Sequence, residues 1–198
     1  RVELSREGVL RFVHAEIGAV LLEEPSPRLP FEPTGRHYAP KSSDIWHIQQ
    51  RFQPRRESIY GMGQHQDGIF DRKGSEVELF QRNTEVAIPV YYSTAGYGFL
   101  WNNPAVGRVS FATNGTRWVA EAAREIDYCV FQADTPAEAL QRYAALTGTP
   151  PEMPAYAAGF WQSKLRYETQ DEVLDIARQY RRRDLALSVL VIDFFHWP

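Results

Sequence analysis

Apolar and polar residues alternate in short runs over the first two thirds of the chain, the period expected of strands that bury one face. Such runs fall at residues 9–13, 18–22, 45–52, 76–81, 87–93, 97–101, 107–113, 116–120 and 127–132. Gly, Pro and Asn separate them, and Pro25, Pro27, Pro30, Pro33 and Pro40 predict one long loop ahead of residue 45. Thr113-Asn114-Gly115-Thr116, between two runs, is the strongest hairpin signal in the chain. Glu76, Glu78 and Glu85 interleave with apolar residues and are expected at solvent-facing strand positions. Many short strands joined by turns predict a β-sandwich.

The period changes at Thr135. Thr135-Pro136-Ala137-Glu138 combines an N-cap, a proline at the first helical position and an acid three residues after the cap. Leu140, Tyr143, Ala144 and Leu146 follow at helical spacing as far as Gly148. Pro150, Pro151 and Pro154 then form a stiff connector, which divides the chain into a sandwich domain, 1–149, and a second domain, 150–198. In the second, residues 157–162 read as a buried strand. Thr169-Gln170-Asp171-Glu172 opens a helix with an apolar stripe of Val173, Leu174, Ala177 and Tyr180, and Asp184 ends it. Residues 188–193 are a largely β-branched strand, read as buried on both faces. Strand, helix and strand make one parallel βαβ unit; a closed (β/α)8 barrel needs eight strands and two are present. The second strand delivers Asp193, Phe194, Phe195 and Trp197 at its carboxyl end, the edge where parallel barrels bind ligands. A carboxylate among aromatic rings suits a sugar, accepting hydroxyl hydrogen bonds while flat rings cover the apolar face of the pyranose.

Composition narrows the classes. A hydrophobic fraction of 43% supports a packed core, and a formal net charge of −3 leaves no basic footprint for nucleic acid. Arg181-Arg182-Arg183 lies where a helix ends, so its charge complements the helix dipole. Cys129 is the single cysteine, which rules out an intrachain disulfide and a cysteine metal site, and it is expected in the core. His65 has no accompanying cluster of metal ligands. No apolar run has the length of a membrane span. No signal peptide is visible, yet the sequence opens with Arg1, so localisation stays open between cytoplasm and periplasm. Asn114-Gly115-Thr116 fits a glycosylation sequon but reads better as a turn.

Three segments carry a family resemblance: Tyr60-Gly61-Met62-Gly63-Gln64-His65-Gln66-Asp67-Gly68; Pro150-Pro151-Glu152-Met153-Pro154 with Ala158-Gly159-Phe160-Trp161-Gln162-Ser163; and Leu187-Ser188-Val189-Leu190-Val191-Ile192-Asp193-Phe194-Phe195-His196-Trp197. Together they resemble glycoside hydrolase family 31, the α-glucosidases and α-xylosidases, over residues 45–198. Ala186 departs from the proline common there, which is expected to affect loop stiffness only. The resemblance implies a galactose-mutarotase-like β-sandwich followed by the first βαβ unit of a TIM barrel. It implies retaining hydrolysis of terminal α-linked sugars by an aspartate nucleophile and an aspartate acid/base, with no metal or organic cofactor. Both aspartates would sit on later barrel strands. The chain alone, which matches neither motif, is expected to be inactive and to expose an unpaired strand edge. The partner implied is an oligosaccharide or glycoside, and a homo-oligomer is compatible with the likeness.

By the same resemblance, Asp193 binds sugar hydroxyls in the −1 subsite and Phe195 lines it, while Gln64 and Asp67 belong to a loop that shapes the −1 and +1 subsites. Phe194-Phe195, where glucosidases commonly carry Tyr-Met, favours an α-xyloside because bulk there excludes a hydroxymethyl group. Bland readings stand beside these: Asp193 as a helix cap, one Phe as core, Asp67-Gly68 as a solvated turn, and Trp161 as a core ring. Lys164 is a weaker candidate, and Trp197 could stack or merely pack. The alternatives for the whole are an α-glucosidase or a non-catalytic carbohydrate-binding sandwich.

Overall fold

The computed structural model describes residues 1–27, 29, 31, 32 and 34–194, so Pro30, Pro33, Phe195, His196 and Trp197 lie outside the described residues. The chain divides into two compact units, Arg1–Gly148 and Thr149–Pro198.

In the first unit β1 (Val2–Leu4), β2 (Leu10–Val13) and β3 (Val20–Glu23) make a three-stranded antiparallel sheet. β4 (Arg36–Pro40), β5 (Trp46–Phe52), β7 (Glu76–Leu79), β10 (Gly107–Ala112) and β11 (Gly115–Ala123) form a five-stranded sheet in the order β4-β5-β11-β10-β7. β6 (Ile59–Gln64), β8 (Val86–Ser93), β9 (Tyr97–Trp101) and β12 (Tyr128–Gln132) form a four-stranded sheet in the order β12-β9-β8-β6. Every pairing in these sheets is antiparallel.

Alternation decides which side of each strand is dry. On β10, Gly107, Val109 and Phe111 are buried while Arg108, Ser110 and Ala112 are half-buried. Ile48, Gln50 and Phe52 do the same on β5. The two larger sheets share one aromatic core. Phe99 of β9 stacks on Trp118 of β11 with centroids 5.0 Å apart, Trp101 stacks on the same indole at 5.4 Å, and Tyr91 stacks on Phe99 at 5.3 Å. Truncating any one of these buried rings costs about 3–5 kcal/mol. A buried polar cluster abuts the rings: Glu57, its side chain 2% exposed, pairs with Lys73 Nζ at 3.2 Å and accepts from Ser93 Oγ at 2.5 Å and Tyr97 OH at 2.9 Å.

Several expectations for this unit need correction. The proline-punctuated loop contains β4, which is possible because β4 is an edge strand and Pro40 is its last residue, where a missing N–H weakens the ladder least. The glycine-flanked loop of residues 60–68 is strand as far as Gln64. Glu85 is not on a strand and is half-buried against Arg82 at 2.6 Å. Cys129 is half-buried on β12. The hairpin between β10 and β11 turns on Thr113 and Asn114, with Ala112 opposite Gly115. Helix α1 (Pro136–Thr147) starts as its sequence predicts, Thr135 Oγ1 accepting from Glu138 N at 3.2 Å. Its buried residue is Ala139, whereas Leu140 and Leu146 are exposed.

The second unit holds a 3-10 turn at Ala155–Ala158, β13 (Trp161–Lys164), α2 (Gln170–Arg182) and β14 (Val189–Ile192). The strand expected over 157–162 therefore starts later. The compact run Ala-Tyr-Ala-Ala after Pro154 coils instead, and Gly159 follows because a Cβ there would collide with Ser188 Oγ. α2 is capped by Thr169, whose hydroxyl accepts from Glu172 N at 3.2 Å, and Arg181 and Arg182 occupy its last turn. Tyr180 fixes the helix to the first strand: its OH donates to Gln162 Oε1 at 2.5 Å and its ring stacks on Phe160 at 5.9 Å. Val173 and Ala177 join Tyr180 as half-buried, but Leu174 is exposed. β14 is only half-buried, not buried on both faces, since among the described residues its one sheet neighbour is β13. Trp161, expected as a core ring, is 49% exposed.

Candidate functional site

β13 and β14 run parallel in the register Trp161↔Val189, Gln162↔Leu190, Ser163↔Val191 and Lys164↔Ile192. Parallel pairing brings both carboxyl ends to one edge, and the intervening α2 supplies the crossover such a pair needs. Asp193 follows the last residue of β14 and so stands at that edge, exposed. Its Oδ1 accepts the backbone N–H of Phe194 at 2.8 Å, and its Oδ2 takes the Ser163 hydroxyl at 3.4 Å. A carboxylate has about four lone-pair sites, so roughly two remain for a ligand. Phe194 is exposed beside it; Phe195, expected to line the same subsite, lies outside the described residues. Ser163 escaped the sequence reading, although a hydroxyl at the carboxyl end of the neighbouring strand was its signal. Lys164 ion-pairs with Glu172 and stands 5.7 Å over the Tyr167 ring, so it faces its own unit's helix start.

The other candidates belong to the first unit. Gln64 ends β6, opposite Val86, with its side chain exposed. Gly61-Met62-Gly63 forms a bulge in which the buried Met62 adopts φ 73°, a left-handed conformation for a non-glycine residue. The bulge carries the chain into residues 65–68. His65 is turned inward there: its Nε2 donates to Met62 O at 2.9 Å and its Nδ1 lies 4.0 Å from Glu85. Asp67 has both oxygens engaged within the loop, Oδ1 with the Ile69 N–H at 3.0 Å and Oδ2 with the buried Arg72 guanidinium. The Ile69 hydrogen bond first, and the Arg72 charge with it, hold the Asp67 carboxyl below its ordinary range. Asp67 therefore clamps the loop that presents Gln64. Arg72 was not foreseen as the clamp, because nothing local marks one arginine as buried. Among the described residues no group of three or more His, Cys, Asp or Glu side chains converges, and no helix is long and apolar enough to cross a membrane.

A parallel strand pair with a carboxylate at its carboxyl edge thus stands in one chain with aromatic-cored antiparallel sheets. Residues 150–198 match the domain described as "Glycosyl hydrolases family 31 TIM-barrel domain", and the chain belongs to that family. It is 49% identical over 165 residues to an uncharacterized family 31 glucosidase of Pseudescherichia vulneris, which covers 83% of this chain and 31% of the relative. It is 36% identical over 162 residues to an alpha-xylosidase of Saccharolobus solfataricus, 77% of this chain and 22% of that one. Among solved structures, a family 31 alpha-xylosidase from a soil metagenome, complexed with xylose, superposes with a TM-score of 0.87 at 44% identity, covering 100% of this chain and 31% of that protein. The chain thus spans about a third or less of the length of these relatives.

Proposed function

We infer that residues 1–149 are the amino-terminal β-sandwich, and residues 150–198 the first βαβ unit, of a retaining α-glycosidase that removes terminal α-linked xylose from oligosaccharides. The observation that carries this reading is Asp193, exposed at the carboxyl edge of a parallel strand pair and anchored by Ser163 and the Phe194 N–H. An anchored carboxylate with free lone pairs orients sugar hydroxyls; it does not by itself cleave the bond. Retaining chemistry needs two carboxyl groups about 5–5.5 Å apart, and these are assigned to barrel strands beyond the two present. Asp193 and Phe195 are read as −1 subsite groups, with Phe194 and Gln64 as further contacts. Asp67 acts through the loop it clamps.

The xyloside preference rests on Phe194-Phe195 and is supported by relatives that bear the name alpha-xylosidase. An α-glucoside is the second reading, favoured by the name of the 49% identical relative. The protein comprising this chain and the remaining barrel strands is the material for the test. Its kcat/KM for aryl α-xyloside is expected to exceed that for the α-glucoside by at least tenfold, with the α-anomer released first by NMR. Equal or inverted preference would overturn the xyloside assignment, and release of the β-anomer would overturn the retaining one.

A further inference from the structure

The outward face of the five-stranded sheet carries chemistry that the proposed function does not use. Arg51 on β5 stands directly opposite Arg117 on β11, and Ser110 on β10 stands opposite Arg117 on its other side. Partners across an antiparallel ladder share a face with Cβ atoms about 4.5–5.5 Å apart, and like charges so placed destabilise the sheet. Among the described residues neither guanidinium has a carboxylate partner. Nearby acids are committed elsewhere: Glu121 to His47 and Arg108, Glu24 to Arg36 and Gln50. Glu76, opposite Ser110 at the far end of the row, pairs with neither arginine.

Arg51 is also held in place. Arg51 Nη2 donates to Gln49 Oε1 at 3.0 Å; Gln49 Nε2 meets His47 Nε2 at 3.3 Å; and His47 Nδ1 meets Glu121 Oε2 at 3.1 Å. This relay fixes the Arg51 fork while leaving its Nε shut off from solvent and without an acceptor. A buried guanidinium N–H with no partner is costly, as is the repulsion beside it. Burial first, and the Arg117 charge second, lower the Arg51 pKa from its ordinary value. The two arginines open onto a cleft of about 740 Å³ whose rim includes Ser26, Gln53, Ser110 and Asn114. Two adjacent cations, one of them fixed, and neutral donors around open space match one kind of ligand: a planar or tetrahedral group of negatively charged oxygens, which a guanidinium fork receives in bidentate fashion.

We propose that Arg51 and Arg117 form a binding site for an oxyanion, taken either as a free ion or as the acidic group of a saccharide. The site lies wholly within residues 1–148 and is independent of the glycosidase reading.

The test is thermal unfolding of the chain at constant ionic strength, with sodium chloride replaced stepwise by sodium phosphate or sulfate, alongside calorimetric titration of the same ions. The wild-type Tm is expected to rise saturably, by about 4 °C at tenfold excess over the dissociation constant. Arg117→Gln should raise Tm in chloride, because it removes the repulsion, and lose at least three quarters of the response to phosphate. Arg124→Gln, a distant exposed arginine, should keep the whole response. Sulfate and phosphate also strengthen burial generically, but that effect acts on wild type and variant alike. Arg51→Lys, which keeps the charge and loses the fork, should weaken titrated phosphate affinity about tenfold and reads the site even if Arg117→Gln fails to fold. Sodium glucuronate and an oligogalacturonide separate the sources. Binding of the oligosaccharide at least tenfold tighter than phosphate assigns the saccharide, and equal binding assigns the free ion. Coincident chloride, phosphate and sulfate curves, or an undiminished response in Arg117→Gln and Arg51→Lys, would overturn the proposal.

Discussion

Replacing Asp193 with alanine, in the protein that carries this chain with the rest of its barrel, should remove the hydroxyl-binding carboxylate while leaving the fold intact. Two of its roughly four lone-pair sites are occupied, one by the Phe194 N–H at 2.8 Å and one by the Ser163 hydroxyl at 3.4 Å. Two sugar hydroxyls can use the others. A hydrogen bond to a charged acceptor contributes about 1.5–3 kcal/mol, so losing both amounts to about 3–6 kcal/mol, or a fall of roughly 10²–10⁴ in kcat/KM. Asp193→Asn keeps one acceptor oxygen and should lie between wild type and alanine. Ser163→Ala removes only the weaker of the two anchors, at 3.4 Å, and should cost less than either change at Asp193. The assay is hydrolysis of an aryl α-xyloside, with circular dichroism and thermal unfolding to show that each variant is folded. A folded Asp193→Ala enzyme within threefold of wild type would refute the reasoning.

Glu57→Ala strands Lys73, Ser93 and Tyr97 in the first unit, and should lower stability by about 3–5 kcal/mol in urea unfolding, whereas the double change Glu57→Leu with Lys73→Met should recover only the part due to the unpaired lysine, since Ser93 and Tyr97 still lose their acceptor; a loss below about 1 kcal/mol for the single change would contradict a buried, interdependent cluster. Asp67 has a folded pKa depressed by the Ile69 N–H and Arg72, so its contribution is fully present above its unfolded value of about 3.9 and disappears as pH falls through the folded value. Asp67→Asn should therefore be less stable than wild type at pH 7 and converge with it toward pH 2 in urea midpoints, and a constant difference would count against the clamp. Thr169→Ala should cost the second unit about 1 kcal/mol, read as earlier loss of amide protection in α2 by hydrogen exchange.

The parts of the architecture that sequence made legible are those set by local rules. Alternation located β10, and a capping box located each helix, because both signals lie within a few residues of the element they announce. β4 stayed hidden, since its strand character comes from pairing with β5 rather than from its own composition. The 157–162 run was misjudged because a short apolar stretch has no periodicity to separate coil from strand. At the candidate site, Asp193 was visible from the strand it terminates. Arg72 and the Arg51–Arg117 pair were not, because each depends on which distant backbone is folded alongside.

A crystal structure of the complete protein with bound xylose tests the central claim most directly. The account predicts both oxygens of Asp193 at about 2.6–3.2 Å from sugar hydroxyls, with the Ser163 and Phe194 anchors kept. A sugar bound in the catalytic cleft with Asp193 turned away from it would contradict the account.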